Sequence, residues 1–164
     1  MAYWRIVWLG VWTSVAYGIA HDLVTAHVSP AYFLPPHHPV IIDTKSPLAL
    51  ALIWGVWATW WMGLFGGLLM GAACRAGRLP KLEARDIQPA LLKCLAVLWA
   101  LAMLSGLAIY LFGGFVLGWD EKVADRRLFA VAIAHMVSYS GGTVLIIGLS
   151  IWAIRRRMRK HLEH

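Results

Sequence analysis

The sequence predicts an all-α membrane protein: four transmembrane helices in an antiparallel up-down bundle, with the N- and C-termini cytoplasmic. Three observations lead there. Of the 164 residues, 60% are apolar and only 14% are charged, where a soluble domain carries roughly 25% charged residues. Four apolar stretches dominate the chain, each long enough to cross a hydrocarbon core of roughly 30 Å. Most of the Lys and Arg residues fall on one side of those stretches. This composition excludes a disordered chain, a disulfide scaffold and a soluble globular domain. The formal charge of +7 does not point to nucleic acid, because the bases flank apolar runs instead of forming a patch on a soluble fold.

The stretches span about Ala2–Val28, Leu48–Ala73, Ala90–Val116 and Leu128–Ile154, within a single domain covering 1–164. The second alone gives a helix of roughly 39 Å at 1.5 Å per residue, enough to span with tilt. Transmembrane strands of about ten alternating residues would not produce such unbroken runs. The first stretch is too long and too rich in tryptophan for a cleaved signal peptide.

Orientation follows from the bases. Arg75, Arg78, Lys81 and Arg85 lie between the second and third stretches, and Arg155, Arg156, Arg157, Arg159 and Lys160 follow the fourth; Arg5 and Lys93 share that face. Opposite are Lys45, Lys122, Arg126 and Arg127, diluted by Asp120, Glu121 and Asp125. The positive-inside rule then puts both termini in the cytoplasm and the loops 29–47 and 118–127 outside. The basic tail reads as an anchor for anionic lipid. Cys74 and Cys94 sit on the cytoplasmic side without a C-x-x-C pair, so they read as packing residues.

Gly63, Gly67 and Gly71 recur at spacing four, a small-residue face that lets helices approach closely. Ala134, Ser138 and Gly142 on the fourth helix and Ser14 and Gly18 on the first repeat the pattern. The glycine face is expected to pack the bundle, or to meet another membrane subunit or a second copy. Trp4, Trp8 and Trp12 form a stripe, while Trp54, Trp57, Trp60 and Trp61 crowd the second helix; these read as facing lipid, a pigment or a partner helix.

The polar residues of the outer half carry the functional signal. His21 lies seven residues before Val28, and His135 seven residues after Leu128, so antiparallel helices place them at equal depth. One turn deeper on the same faces are Tyr17 and Tyr139, with Asp22 beside His21 and Ser138 beside Tyr139. An ionisable group inside a span is costly unless paired, so Asp22 is expected to turn inward toward an imidazole. The loop adds His27, Tyr32, His37 and His38, stiffened by Pro30, Pro35, Pro36 and Pro39 into an extended lid. Imidazole with carboxylate is a donor set for a transition metal such as zinc, iron or copper. The expected ligands are therefore His21, Asp22, His135, His37, His38 and His27, with Tyr17, Tyr139, Ser138 and Tyr32 around them. The spans contain no glutamate and no H-E-x-x-H.

Such a site, open to the outer face, would support redox or hydrolytic chemistry. A b-type haem held between His21 and His135 is the weaker version. Four other readings use the same residues: a satisfied polar network joining the first and fourth helices, a quinone or lipid site beside the cluster, an accessory subunit of a larger membrane complex, and a small proton- or cation-coupled transporter. The last is weakened where helices are unbroken. The run His21-Asp22-x-x-Thr25, Tyr32-Phe33, His38-Pro39 and Ala134-His135-x-x-Ser138-Tyr139 resembles small bacterial membrane proteins. That resemblance implies no particular activity; the spans and the topology give a bacterial inner-membrane protein as the leading reading.

Overall fold

A computed structural model describes residues 1–117 and 125–163. Five α-helices, one short 3-10 turn and no strand make up the described residues: α1 Ala2–Val28, the turn Pro30–Phe33, α2 Pro47–Trp57, α3 Trp60–Arg75, α4 Ala84–Leu117 and α5 Arg126–Leu162. Three segments are long and apolar enough to cross a membrane, namely Pro47–Arg75, Ala84–Gly113 and Arg126–Leu162. The 27 residues of α1 match them in length and carry Arg5, His21 and Asp22 among apolar neighbours. Of the loop expected over 118–127, Asp120, Glu121 and Lys122 lie outside the described residues.

The second apolar stretch is not one helix. It breaks at Ala58–Thr59 into α2 and α3. Thr59 Oγ1 donates to the Gly55 carbonyl, and the Thr59 N–H turns to Val56 O at 3.3 Å. A threonine hydroxyl that takes the carbonyl four residues back competes with the helical ladder. Ser14 of α1 then donates to Thr59 O at 3.0 Å and fixes the break from outside. The other ends move outward from their expected places. Ser46 caps α2 with Pro47 in its first turn. Asp86 accepts from Glu83 N at 2.8 Å, so α4 begins before Pro89 instead of after it. Asp125, expected only to dilute charge, caps α5 through Arg127 N and Leu128 N. The basic tail continues α5 as helix to Leu162.

Glycines set how the helices meet. A Cβ on Gly63 would lie 2.6 Å from Gly10 O, and one on Gly67 would lie 2.7 Å from Val7 O. Tyr3 lies over Gly71 and donates to Leu68 O at 3.2 Å. The Gly63/Gly67/Gly71 face, expected as a surface for a partner or second copy as well as for the bundle, is thus filled by α1 of the same chain. Gly18 meets Gly55 in the same way, so α1 runs antiparallel along α3 and α2. The pair α4 and α5 is also antiparallel, with Gly106 against Ala130 and Leu98 over Gly141. Both termini lie at one end, and the loop 29–46 lies at the other.

At the terminal end, the core joins Ile6, Met70, Cys74, Leu82, Ile87, Leu149 and Ala153. Arg157 is buried there and donates to Ala73 O, Ala76 O, Leu79 O and Pro80 O at 2.6–3.1 Å. It satisfies Ala73 O and Ala76 O, which the end of α3 leaves open, and ties the following loop to the same side chain. Expected as one of five lipid-anchoring bases, Arg157 is instead an internal clamp. Trp4, Trp8, Trp12, Trp57, Trp60 and Trp61 are exposed, whereas Trp54 is buried beneath the loop with Ala26, Phe33, Leu50 and Val131.

Candidate metal centre

The helical period of α1 and α5, laid antiparallel, brings His21, Asp22 and His135 together near the loop end. All three are buried, at 2%, 5% and 6% exposure. Asp22 Oδ1 lies 3.1 Å from His21 Nδ1 and 3.2 Å from His135 Nε2, and the two imidazole rings stand edge to face with centroids 4.5 Å apart. The expected convergence of these three side chains is present.

Three of the four ring nitrogens are engaged. His135 Nδ1 donates to the Val131 carbonyl at 2.9 Å, and His21 Nδ1 donates to Asp22 Oδ1. His135 Nε2 in turn faces Asp22 Oδ1 at 3.2 Å, so the carboxylate pairs with both rings. Metal-bound histidines commonly tie one ring N–H to a carbonyl, as His135 Nδ1 is tied to Val131 O. His21 Nε2 has no hydrogen-bond partner among the described residues, although it is buried. A buried polar atom left unpaired costs roughly 1–3 kcal/mol, so this atom points to a ligand. The ligand atoms of the three residues lie within 4.8 Å of one another. Two donors each about 2.1 Å from one ion sit roughly 3.0–3.4 Å apart, and the 3.2 Å between His135 Nε2 and Asp22 Oδ1 matches that spacing. The donor set fits a metal ion.

Around the cluster the tyrosines stand where the sequence puts them. Tyr17 OH and Ser138 Oγ share a hydrogen bond of 2.7 Å, tying α1 to α5 one turn deeper. Tyr17 stacks on His21 at 6.1 Å, and Tyr139 lies 6.3 Å from His135. Tyr32 reaches in from the 3-10 turn and covers the His135 ring at 4.4 Å. Burial pushes the Tyr32 phenol up to about 12, so it remains a proton donor at neutral pH.

Three expected ligands do not join. His27 is exposed, and its Nδ1 turns back to Leu23 O at 2.7 Å, because the end of α1 leads it away from the interior. His37 is exposed on the loop. His38 does fold inward, but its Nδ1 is taken by Tyr32 O, and its ring packs tilted against Tyr32 and edge to face against Trp54, each at 4.8 Å. The loop is a lid of rings: Phe33 is buried and lies 5.6 Å from His135. The compact 3-10 turn replaces the expected extended segment, and it covers the cluster on the side where an outer opening was expected.

The opening lies on the other side. A cavity of about 80 Å³ reaches from His21, Asp22 and His135 past Tyr17, Tyr139 and the Thr59 break. Its volume is far below the roughly 300–1,000 Å³ of cofactor pockets. With a carboxylate between rings only 4.5 Å apart, His21 and His135 cannot sandwich a porphyrin, and the haem version is set aside. Phe33, Trp54 and Thr59 were missed by sequence reasoning; Phe33 beside Tyr32 in a proline-flanked turn was the one readable signal. Comparison with protein-family models, with curated proteins and with solved structures finds no match for this chain.

Proposed function

We propose that this protein is a four-helix bundle of a bacterial inner membrane, with α2 and α3 together forming the second span. Both termini face the cytoplasm, and His21, Asp22 and His135 bind one transition-metal ion. The single observation that carries this reading is the buried convergence of two imidazoles on one carboxylate. His21 Nδ1 and His135 Nε2 lie 3.1 and 3.2 Å from Asp22 Oδ1, and His21 Nε2 is buried without a partner. Two histidines and one carboxylate with an open side suit iron(II) or zinc best; copper is the third candidate. Three protein ligands plus an open position mark a reactive rather than a purely structural site. Such an ion would supply Lewis-acid or redox chemistry there. Asp22 and the Val131 carbonyl orient the rings, Tyr17 and Ser138 fix their depth, and the aromatic lid keeps water out. His27, His37 and His38 are not needed as ligands.

A cation-transport reading has one observation in its favour, the helix break at Ala58–Thr59, which lines the same cavity. Discontinuous helices beside a midplane site are a transporter feature. Partners in this proposal are membrane lipid and, along the exposed Trp4/Trp8/Trp12 stripe, other membrane subunits. No nucleic acid is involved.

The test is elemental analysis of the purified protein with its absorption spectrum. About one equivalent of metal, absent from His21→Ala and His135→Ala while helix content is kept, supports the centre. If protein expressed with ample zinc, iron and copper carries none, the cluster is only a polar brace between α1 and α5. Uptake of a cation into proteoliposomes that fails in Asp22→Asn would favour transport instead.

A further inference from the structure

We infer that the substrate of this centre is an uncharged, membrane-resident amphiphile: a long hydrocarbon chain ending in a hydroxyl or carbonyl oxygen. The inference rests on the metal-centre reading and adds the class of molecule that reaches it. A second cavity, of about 290 Å³, lies between α1, α3, α4 and α5 on the side of the cluster away from the lid. Ser14, Met62, Leu95 and Gly142 line both this cavity and the smaller one beside the cluster, so the two meet there. Chemistry changes along the combined space. At the cluster end stand the Tyr17, Ser138 and Tyr139 hydroxyls, which give and accept hydrogen bonds to a neutral oxygen. Beyond the junction, the walls are Ile6, Met70, Leu91 and Ile146 with glycines, and no charged side chain lines that cavity.

Three features select the occupant. No Lys or Arg lines either cavity, which disfavours a phosphate or carboxylate head. The larger cavity runs from Ile6 to Ser14 along α1, about 12 Å at 1.5 Å per residue, a shape for a chain and not for a compact solute. Its wall includes Trp61, Phe65 and Leu69 of α3 and Thr143 of α5, all exposed on the outside of the protein. The cavity therefore opens sideways between α3 and α5 onto the surface assigned to lipid. The lid of Tyr32, Phe33 and His38 closes the opposite, aqueous approach. A molecule dissolved in the bilayer has the open route, and a water-soluble one does not.

The test uses full-length protein in nanodiscs with a hexadecanol that carries a diazirine near mid-chain. After irradiation, labelled peptides are mapped with and without excess plain hexadecanol. The expected result is labelling at Met62, Met70 or Ile146 that the competitor removes. Gly142 offers the blocking variant, since a Cβ there would meet nothing within 4 Å while larger side chains fill the junction. Gly142→Leu is expected to lower that labelling by about tenfold. Labelling confined to the lipid-facing tryptophans, or unaffected by the competitor, overturns the inference. So does labelling of the interior that Gly142→Leu leaves unchanged. Should Gly142→Leu fail to fold, the competition on wild-type protein decides alone. Metal content is read on the same sample: metal without interior labelling refutes this inference only, and competed labelling without metal refutes the metal centre only.

Discussion

Gly67→Ala is the smallest change that tests how the bundle is built. The added Cβ would lie 2.7 Å from Val7 O and 2.8 Å from Val7 Cα, both backbone atoms of α1. Ordinary contact begins near 3.4 Å, so no side-chain rotation relieves the clash and α1 must move off α3 by roughly 0.7 Å. A gap of that size forfeits a quarter to a half of each dispersion contact along the seam. Overpacking of this kind costs about 1–3 kcal/mol. For a chain of this size, that is a fall in Tm of roughly 2–12 °C. The same substitution at Gly142 meets nothing within 4 Å, and replacing a helical glycine with alanine there should gain about 0.5–1 kcal/mol. The pair is read by thermal unfolding in detergent, followed by tryptophan fluorescence. Equal melting of Gly67→Ala and wild type, or an equal loss in Gly142→Ala, would refute close packing of α1 on the glycine face.

Four further outcomes are expected. Asp22→Asn should lower metal affinity by at least about tenfold, because the carboxylate is both a donor and the acceptor that holds His21; titration with a competing chelator measures it, and unchanged affinity removes Asp22 from the centre. His38→Ala should destabilise the lid and His37→Ala should not, since only the first is packed against Tyr32 and Trp54; protease sensitivity of the loop distinguishes them, and equal sensitivity contradicts the ring packing. Arg157→Ala strips the donor from four carbonyls, two at the end of α3 and two in the loop after it, and should cost about 3 kcal/mol or more; a melting temperature within a degree of wild type would mean water replaces the guanidinium. A cysteine placed at His37 should react with an impermeant thiol reagent added outside intact cells, and reaction only after lysis would invert the topology.

The depth of His21 and His135 was legible because a helix converts sequence separation into height, and antiparallel helices compare heights directly. Asp22 was legible for the same reason, reinforced by the cost of an unpaired carboxylate inside a span. His27, His37 and His38 were misread as ligands because ligand-type composition carries no direction. His27 differs from His21 by six residues, which is not a whole number of turns, and it ends on the exposed face of α1. The break at Ala58–Thr59 was hidden because nothing local demands it. Threonine hydroxyls often bond four residues back without ending a helix. Here the break is completed by Ser14, 45 residues away. Arg157 was hidden among neighbouring bases that look alike in sequence, and only the fold says which one meets the end of α3.

Burial of the metal-type cluster and the direction of its opening have one common origin in the chain. The loop after α1 is too short in polar residues and too rich in rings to stay in water. Tyr32 and Phe33, held by a turn that starts at Pro30, fold back over His135, and His38 follows them down against Trp54. That closes the loop end. One turn below the lid, α1 and α2 touch backbone to backbone through Gly18 and Gly55. One turn further in, the chain interrupts its second span, and Gly142 on α5 presents no side chain to fill the space released. Space is therefore excluded on the side of the lid and allowed on the side of the membrane interior. A hydrophilic substitution in the lid tests that balance directly. Phe33→Ser removes a ring that is 2% exposed and should cost about 3–5 kcal/mol by analogy with Phe→Ala in a core. It should also admit water to the cluster, so that a water-soluble chelator strips metal from the variant many times faster than from wild type. Equal rates of stripping would mean that the lid does not guard the site, and that the route to His21, Asp22 and His135 lies through the aqueous face after all.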